Sequence, residues 1–265
     1  MNEAVLAGLL AAGTPAADVT ATVRRPERAE ELRSRYPGLT VLAEQEDPEA
    51  NSKAVAGASV AVLGVKPVGI AALCRSISPA LARETIVVSV AAAVTIAAME
   101  AALPAGQPLV RTMPNTPLKV GRGAVGLAGG SSTTDAQLEM AAAVFAGAGT
   151  VVVVPEDQLD AVAAVSGSGP AYAFYLAEAM AAAGVELGLD AGLAMTLARE
   201  TVAGAGLMLA QEGADPAALR KAVTSPNGTT ERAIAAFDDA GLPAIIAAGA
   251  RAAEARAAEL SRELS

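Results

Sequence analysis

Two rhythms divide the chain. Up to about residue 155, short apolar runs alternate with amphipathic stretches. "DVTATV" (18–23), residues 39–42, "SVAVLGV" (59–65), "TIVVSV" (85–90), "PLVRTM" (108–113) and "TVVVVP" (150–155) have the length and β-branched content of strands. Their unbroken apolar character suits strands covered on both faces. Between them, "NEAVLAGLLAAG" (2–13), "PERAEELRSRY" (26–36), "KPVGIAALCRSI" (66–77), "VTIAAMEAAL" (94–103) and residues 137–145 carry apolar positions at helical spacing. Pro26 stands at a first helical position, where a missing N–H costs nothing. Strands alternating with helices predict parallel βαβ units and a doubly wound sheet.

Beyond residue 155 the strand pattern stops. "LDAVAAV", "GPAYAFYLAEAMAAAGVELG", "AGLAMTLARETVAGAGLMLAQEG", "DPAALRKAV", "ERAIAAFDDAG" and the Ala-rich tail all read as helices. Gly169 and Pro170 start one of them, Gly184 and Gly188 end it, and Gly213 ends the next. The chain therefore divides into an α/β domain at 1–154 and an all-α domain at 155–265. The apolar faces of the helical half are too extensive for a monomer to cover. They predict a homodimer or higher homo-oligomer built through that half.

Composition narrows the chemistry. The 265 residues are 53% apolar and 18% charged, a folded composition with length for about two domains. The net charge of −9 argues against nucleic acid, whose phosphates need a basic face. No run of about 18 apolar residues is free of Gly, Pro and charge, so no membrane span is expected. Nor does the N-terminus show a basic start before an apolar run, so no signal peptide is expected. The single cysteine, Cys74, cannot form an internal disulfide and fits a cytoplasmic location. With no histidine, Ser–His–Asp and Cys–His nucleophiles and histidine proton relays are excluded. A zinc site would need an all-carboxylate shell, so no metal is expected.

Candidate sites fall at turns. "TSPNGTT" (224–230) sets three hydroxyls and a Ser-Pro-Asn-Gly turn before a helix. Such a turn either caps the helix or offers backbone N–H groups and the positive helix end to a small anion. "GVKP" (64–67) and "SVAAAV" (89–94) follow buried runs, where a doubly wound sheet binds a nucleotide. The strand at 18–23 ends in Arg24 and Arg25. An acid there would select NAD, whereas arginine suits the 2′-phosphate of NADP. The pair also reads as a solvated helix start. A nucleotide fold should open with a strand and a G-x-G-x-x-G/A turn, yet the first helix begins at residue 2. Either the sheet is of another kind, or Met1 is an internal methionine.

Four motifs in order bear on that choice. "VRTMPNTP" (110–117), "DAVAAVSGSGPAYAF" (160–174), "GAGLML" (204–209) and "VTSPNGTT" (223–230) resemble those of the pyrroline-5-carboxylate reductase family. The resemblance runs from residue 1 to the closing "RAAEARAAEL". It implies reduction of the small molecule 1-pyrroline-5-carboxylate to L-proline with NADPH, NADH being possible. The fold implied is a Rossmann-like doubly wound α/β sheet, its first strand missing, followed by an all-α dimerisation domain that helps to build the active site. The resemblance places Thr230 at the substrate ring nitrogen as the catalytic hydroxyl. It places Ser225, Gly228 and Thr229 around the substrate carboxylate, and Glu156 near them. Val65, Lys66, Pro67, Ala91 and Ala92 match loops that line the cofactor, Asn51 lies near its adenosine part, and Asn115 near the nicotinamide pocket. Two positions depart from the family: Asn227 and Ala93 stand where glycine is usual. A short strand and glycine turn, about ten residues, are expected ahead of Met1.

Two alternatives stay open at this stage. One is an NADP-linked dehydrogenase of the 3-hydroxyacid type, which relies on a lysine in the helical half. The only lysine beyond residue 150 is Lys221, in a charged segment. The other is a truncated, non-catalytic dimeric paralogue.

Overall fold

The first half forms seven strands. Six lie on the apolar runs, four of those shorter than the run that encodes them, and one, Gly123–Gly129, falls on none of the runs. In the computed structural model, which describes residues 1–264, they are β1 (Thr20–Val23), β2 (Thr40–Ala43), β3 (Val60–Leu63), β4 (Ile86–Ser89), β5 (Leu109–Pro114), β6 (Gly123–Gly129) and β7 (Gly149–Val153). The helices around them are α1 (Asn2–Ala11), α2 (Pro26–Arg35), α3 (Ala50–Val55), α4 (Ile70–Ile77), α5 (Ile96–Glu100), α6 (Asp135–Ala146) and α7 (Leu159–Val162), the last running into a π-helical turn at Ala163–Gly167. Then come α8 (Gly169–Glu186), α9 (Ala191–Leu209), α10 (Pro216–Ala222), α11 (Thr229–Asp239) and α12 (Leu242–Glu263).

The sheet is in two pieces. β1 and β2 pair in parallel, and a five-stranded piece runs β3-β4-β5-β6-β7. β3, β4 and β5 are parallel neighbours, as the alternation predicts. β6, however, lies antiparallel to β5. The link between them is a single 3-10 turn, Thr116–Val120, closed by Gly121 at φ +69°. Such a link is too short for the crossover that parallel pairing requires. β1 and β3 each keep one edge unpaired, and the sheet breaks there. Burial follows the break. All four residues of β4 are buried, β3 leaves Val62 39% exposed, and β1 has no fully buried residue.

Helix α1 joins the two pieces. Its Ala4 and Val5 pack with Ile86, Val88 and Phe145, while Leu6 packs on the small core of β1, β2 and α2. Glu3 accepts hydrogen bonds from Arg28 and Arg35 of α2. Burial alone would raise the Glu3 carboxyl, but these two guanidinium bonds outweigh it and hold it below its ordinary value. On the other sheet face, Ile70, Cys74, Met99 and Leu109 form a second core. Burial pushes the Cys74 thiol up to about 11.

The compact units do not divide at residue 154. One runs from Met1 to Gly167 and takes in the chain from Ala253 onward; the other is Ser168–Ala252. Segment 155–167 belongs with the sheet because Leu159 is buried in its core and Glu156 and Asp160 pair with Arg111. In the second unit, Gly188 ends α8 at φ +95°, as expected. Gly184 does not end it. That glycine sits inside α8, where a Cβ would lie 3.0 Å from Ala194 Cβ, so it allows α9 to approach closely. Among the described residues, the buried apolar side chains of this unit are three alanines, Ala181, Ala194 and Ala198. Tyr175 is 73% exposed and Phe174 64%.

Candidate active site

The carboxyl ends of the parallel strands gather one set of the expected residues. β3 and β4 are in register, Leu63 opposite Ser89, and the Val90 N–H donates to the Leu63 carbonyl at 3.1 Å. The turns that follow, Gly64–Pro67 and Ala91–Val94, therefore lie side by side. Asn2, at the start of α1, donates to the Gly64 carbonyl at 2.8 Å. A Cβ on Gly64 would collide with that amide, so only glycine admits the contact. Val65 and Lys66 face solvent, and Ala92 is exposed between the buried Ala91 and Ala93. These turns leave backbone and one lysine open beside a helix start, which suits a phosphate-bearing cofactor.

Arg24 and Arg25 follow β1 directly and are both exposed. Arg28, Arg33 and Arg35 of the next helix are taken up by Glu3, Glu30 and Glu31. Among the described residues no ion pair takes up Arg24 or Arg25, leaving two exposed cations just past the strand end. Asn51, in the first turn of α3, donates to the Glu44 carboxylate just beyond β2. Asn115 is buried at the end of β5. Its amide donates to the Ser166 carbonyl at 3.0 Å and accepts from the Ala124 N–H at 2.9 Å. It thus ties β5, β6 and the π turn together.

A second set gathers at the start of α11. The Gly228 N–H donates to the Ser225 carbonyl at 3.0 Å, closing a turn in which Asn227 takes φ +60°. Asparagine tolerates that left-handed conformation better than most residues. Of the two readings of this turn, a cap and an anion site, the cap is not formed: Gly228 precedes the helix and no side chain caps it. Instead the Asn227 N–H donates to Glu231 at 2.8 Å. The first-turn N–H groups of Thr229 and Thr230 have no partner four residues back, as at any helix start. Ser225 and Thr229 are exposed, Gly228 and Thr230 half-buried.

Glu156 stands in the other compact unit. One of its oxygens accepts from Arg111 at 3.0 Å and from the Ile96 N–H at 2.7 Å. Arg111, with a side chain only 7% exposed, also reaches Asp160 at 3.6 Å. Arg111 lies within "VRTMPNTP" and is not among the residues expected at the site. The signal was there, a single cation in an otherwise apolar strand run. Beside it lies a cavity of about 60 Å³ lined by Ala92, Ala93, Arg111, Asp160, Ala257 and Leu260 among others. It has room for a few waters.

Fold and site define a class: an oxidoreductase with a dinucleotide-binding α/β unit and a helical dimerisation domain. Residues 1–93 match the model of NADP oxidoreductases described as coenzyme F420-dependent, and residues 156–260 match that of the pyrroline-5-carboxylate reductase dimerisation domain. A pyrroline-5-carboxylate reductase of Pseudomonas aeruginosa is 41% identical over 100% of this chain and 94% of its own length. One from Mycobacterium tuberculosis is 40% identical over 98% and 93%. The solved structure of a Coxiella burnetii pyrroline-5-carboxylate reductase superposes with a TM-score of 0.90 at 33% identity, covering 98% of this chain and 94% of that one. The chain belongs to the pyrroline-5-carboxylate reductase family.

Proposed function

We propose that this chain reduces 1-pyrroline-5-carboxylate to L-proline, with NADPH as hydride donor, as a homodimer in the cytoplasm. The observation that carries the reading is the match to relatives of that name along the whole chain, across both compact units. The residues present fit the cofactor. The turns at Val65, Lys66, Pro67, Ala91 and Ala92 would hold its nicotinamide and phosphates, and Arg24 and Arg25 its 2′-phosphate. Asn51 would lie near the adenosine. Asn115 would act from behind, by holding the π turn. NADPH, when bound, supplies the hydride.

The rest falls to the chain's own groups. The free backbone N–H groups of Thr229 and Thr230, which the Gly228 turn presents, hold the substrate carboxylate at the helix start with the Ser225 and Thr229 hydroxyls. The Thr230 hydroxyl donates to the ring nitrogen and helps to deliver its proton. An iminium carbon is already electrophilic, so positioning supplies most of the rate. That accords with a chain without histidine. The helical face carrying Phe174 and Tyr175 forms the dimer contact. No single described helix is long and apolar enough to cross a membrane.

The test is consumption of NADPH and of NADH with 1-pyrroline-5-carboxylate, products identified by amino-acid analysis. L-Proline should form, and kcat/KM should be higher with NADPH. Oxidation of a 3-hydroxyacid with NADP, in place of proline formation, would overturn the reading. Equal kcat/KM for the two cofactors would remove the role given to the arginine pair.

A further inference from the structure

The turn after β4 carries a conformation that it does not favour by itself. Ala93 has φ +65°, a left-handed geometry that costs a residue with a Cβ on the order of 1–2 kcal/mol. Ala93 and Val94 are buried, so the turn cannot relax outward. Something must hold it at both ends. At its start, the Ala91 N–H donates to the Ser89 hydroxyl at 3.3 Å. Past its end, the Ile96 N–H donates to Glu156 at 2.7 Å, and that carboxylate is fixed by Arg111. Arg111 sits on β5 directly opposite Ser89. One oxygen atom therefore links the turn, the central sheet and the segment after β7. A buried guanidinium is expensive unless it is paired, so Arg111 cannot release Glu156 without leaving a buried charge with Asp160 alone.

We propose that Arg111 and Glu156 are positioning residues, and that their ion pair holds the 91–95 turn in the shape that receives the cofactor. Neither need touch the reacting atoms. The proposal rests on the reading of Ala91 and Ala92 as cofactor-lining.

Hydrogen exchange on the cofactor-free protein and NADPH titration by fluorescence test it together. In Glu156→Ala, amides 91–96 should exchange at least about tenfold faster, the scale of one lost charge-assisted hydrogen bond. The Kd for NADPH should rise about as much. Glu156→Gln keeps an acceptor for the Ile96 N–H and should recover most of both. Ala93→Gly removes the cost of positive φ, so the same Glu156→Ala change should weaken NADPH binding less in that background. Unchanged exchange and Kd in Glu156→Ala overturn the proposal. So does a loss spread evenly over the whole unit that neither Gln nor Gly softens, since the contact would then serve stability alone. Ala92→Asp separates the two readings. A carboxylate on that exposed residue should repel the cofactor. If NADPH binds it normally, the turn does not line the cofactor. If Ala92→Asp weakens binding and Glu156→Ala does not, the turn lines the cofactor and the ion pair does not position it.

Discussion

The two compact units bury their apolar residues in opposite ways. The sheet-bearing unit encloses Phe145, Met99, Ile70, Leu109 and Leu127, each 1% exposed or less. The helical unit, Ser168–Ala252, encloses alanines and leaves its large side chains outside: Phe174, Tyr175, Leu207, Ile245 and Ile246 are all exposed. Burial of a Leu or Phe side chain contributes about 1.5–3 kcal/mol, so the first unit has a core of its own and the second lacks one. Close α8–α9 packing through Gly184 and Ala194 cannot replace it. The helical unit is built to be completed by another surface. This agrees with its match to a dimerisation domain. The lesson is one of dependence: the sheet-bearing unit encloses large side chains of its own, whereas the turn opening α11 belongs to a unit that encloses alanines and whose large apolar side chains call for a partner surface.

The comparison breaks most readily at the exposed face. Phe174→Asp with Tyr175→Asp should weaken self-association by at least ~5 kcal/mol, because two charges would be trapped in an apolar contact. Light scattering at micromolar concentration should then show a monomer. An unchanged oligomer would mean that another face associates. Next comes Phe145→Ala, which removes a fully buried ring from the first unit. It should cost about 3–5 kcal/mol in urea unfolding. If the units are as independent as their cores suggest, association measured below the unfolding midpoint should not change. A smaller effect follows from Thr230→Ala. It should lower kcat/KM by about 1.5–3 kcal/mol, one hydrogen bond to a charged or charging nitrogen, with NADPH affinity nearly constant. Wild-type turnover in that variant would remove Thr230 from the reaction.

Much of this was legible from residues alone, and the failures have physical causes. The β-branched runs marked β1 to β5 and β7 within a residue or two. β6 escaped because Gly123, Gly126 and Gly129 dilute its apolar pattern, and glycine ordinarily weakens a strand. Packing explains them in part: a Cβ on Gly126 would lie 2.9 Å from Val162, so α7 could not rest on the strand. α3, six residues long in a polar segment, is too short for its periodicity to show. Of the candidate residues, those at Gly64–Pro67 and Ser225–Gly228 do lie in turns, because turns are written locally in Gly, Pro, Asn and Ser. The Arg111–Glu156–Ile96 link was not legible, because it joins positions far apart in sequence and no local pattern announces such a contact. The compact unit runs on past the change of pattern to Gly167 for the same reason: Leu159 and Asp160 fold back onto the sheet.

The smallest effect sharpens the claim that the first unit has a core of its own. Its two sheet pieces share no strand pairing and meet through α1 and through α3, whose Val55 packs with Ile70 and Cys74, so Glu3 with Arg28 and Arg35 should help to hold them together. The Glu3 side chain is 31% exposed, so solvent screens the pair and the contribution should be no more than about 1 kcal/mol. The sign follows from the lowered folded-state value of this carboxyl. Unfolded, it titrates near about 4.3. The stabilisation is therefore full above that pH and disappears as the pH falls through the lower folded value. Urea midpoints for the wild type and Glu3→Gln should differ at neutral pH and converge in acid. Added salt at neutral pH should shrink the gap as well. A gap that stays constant across pH and salt would mean that Glu3 acts through packing, and that α1 joins the two pieces by Ala4, Val5 and Leu6 alone.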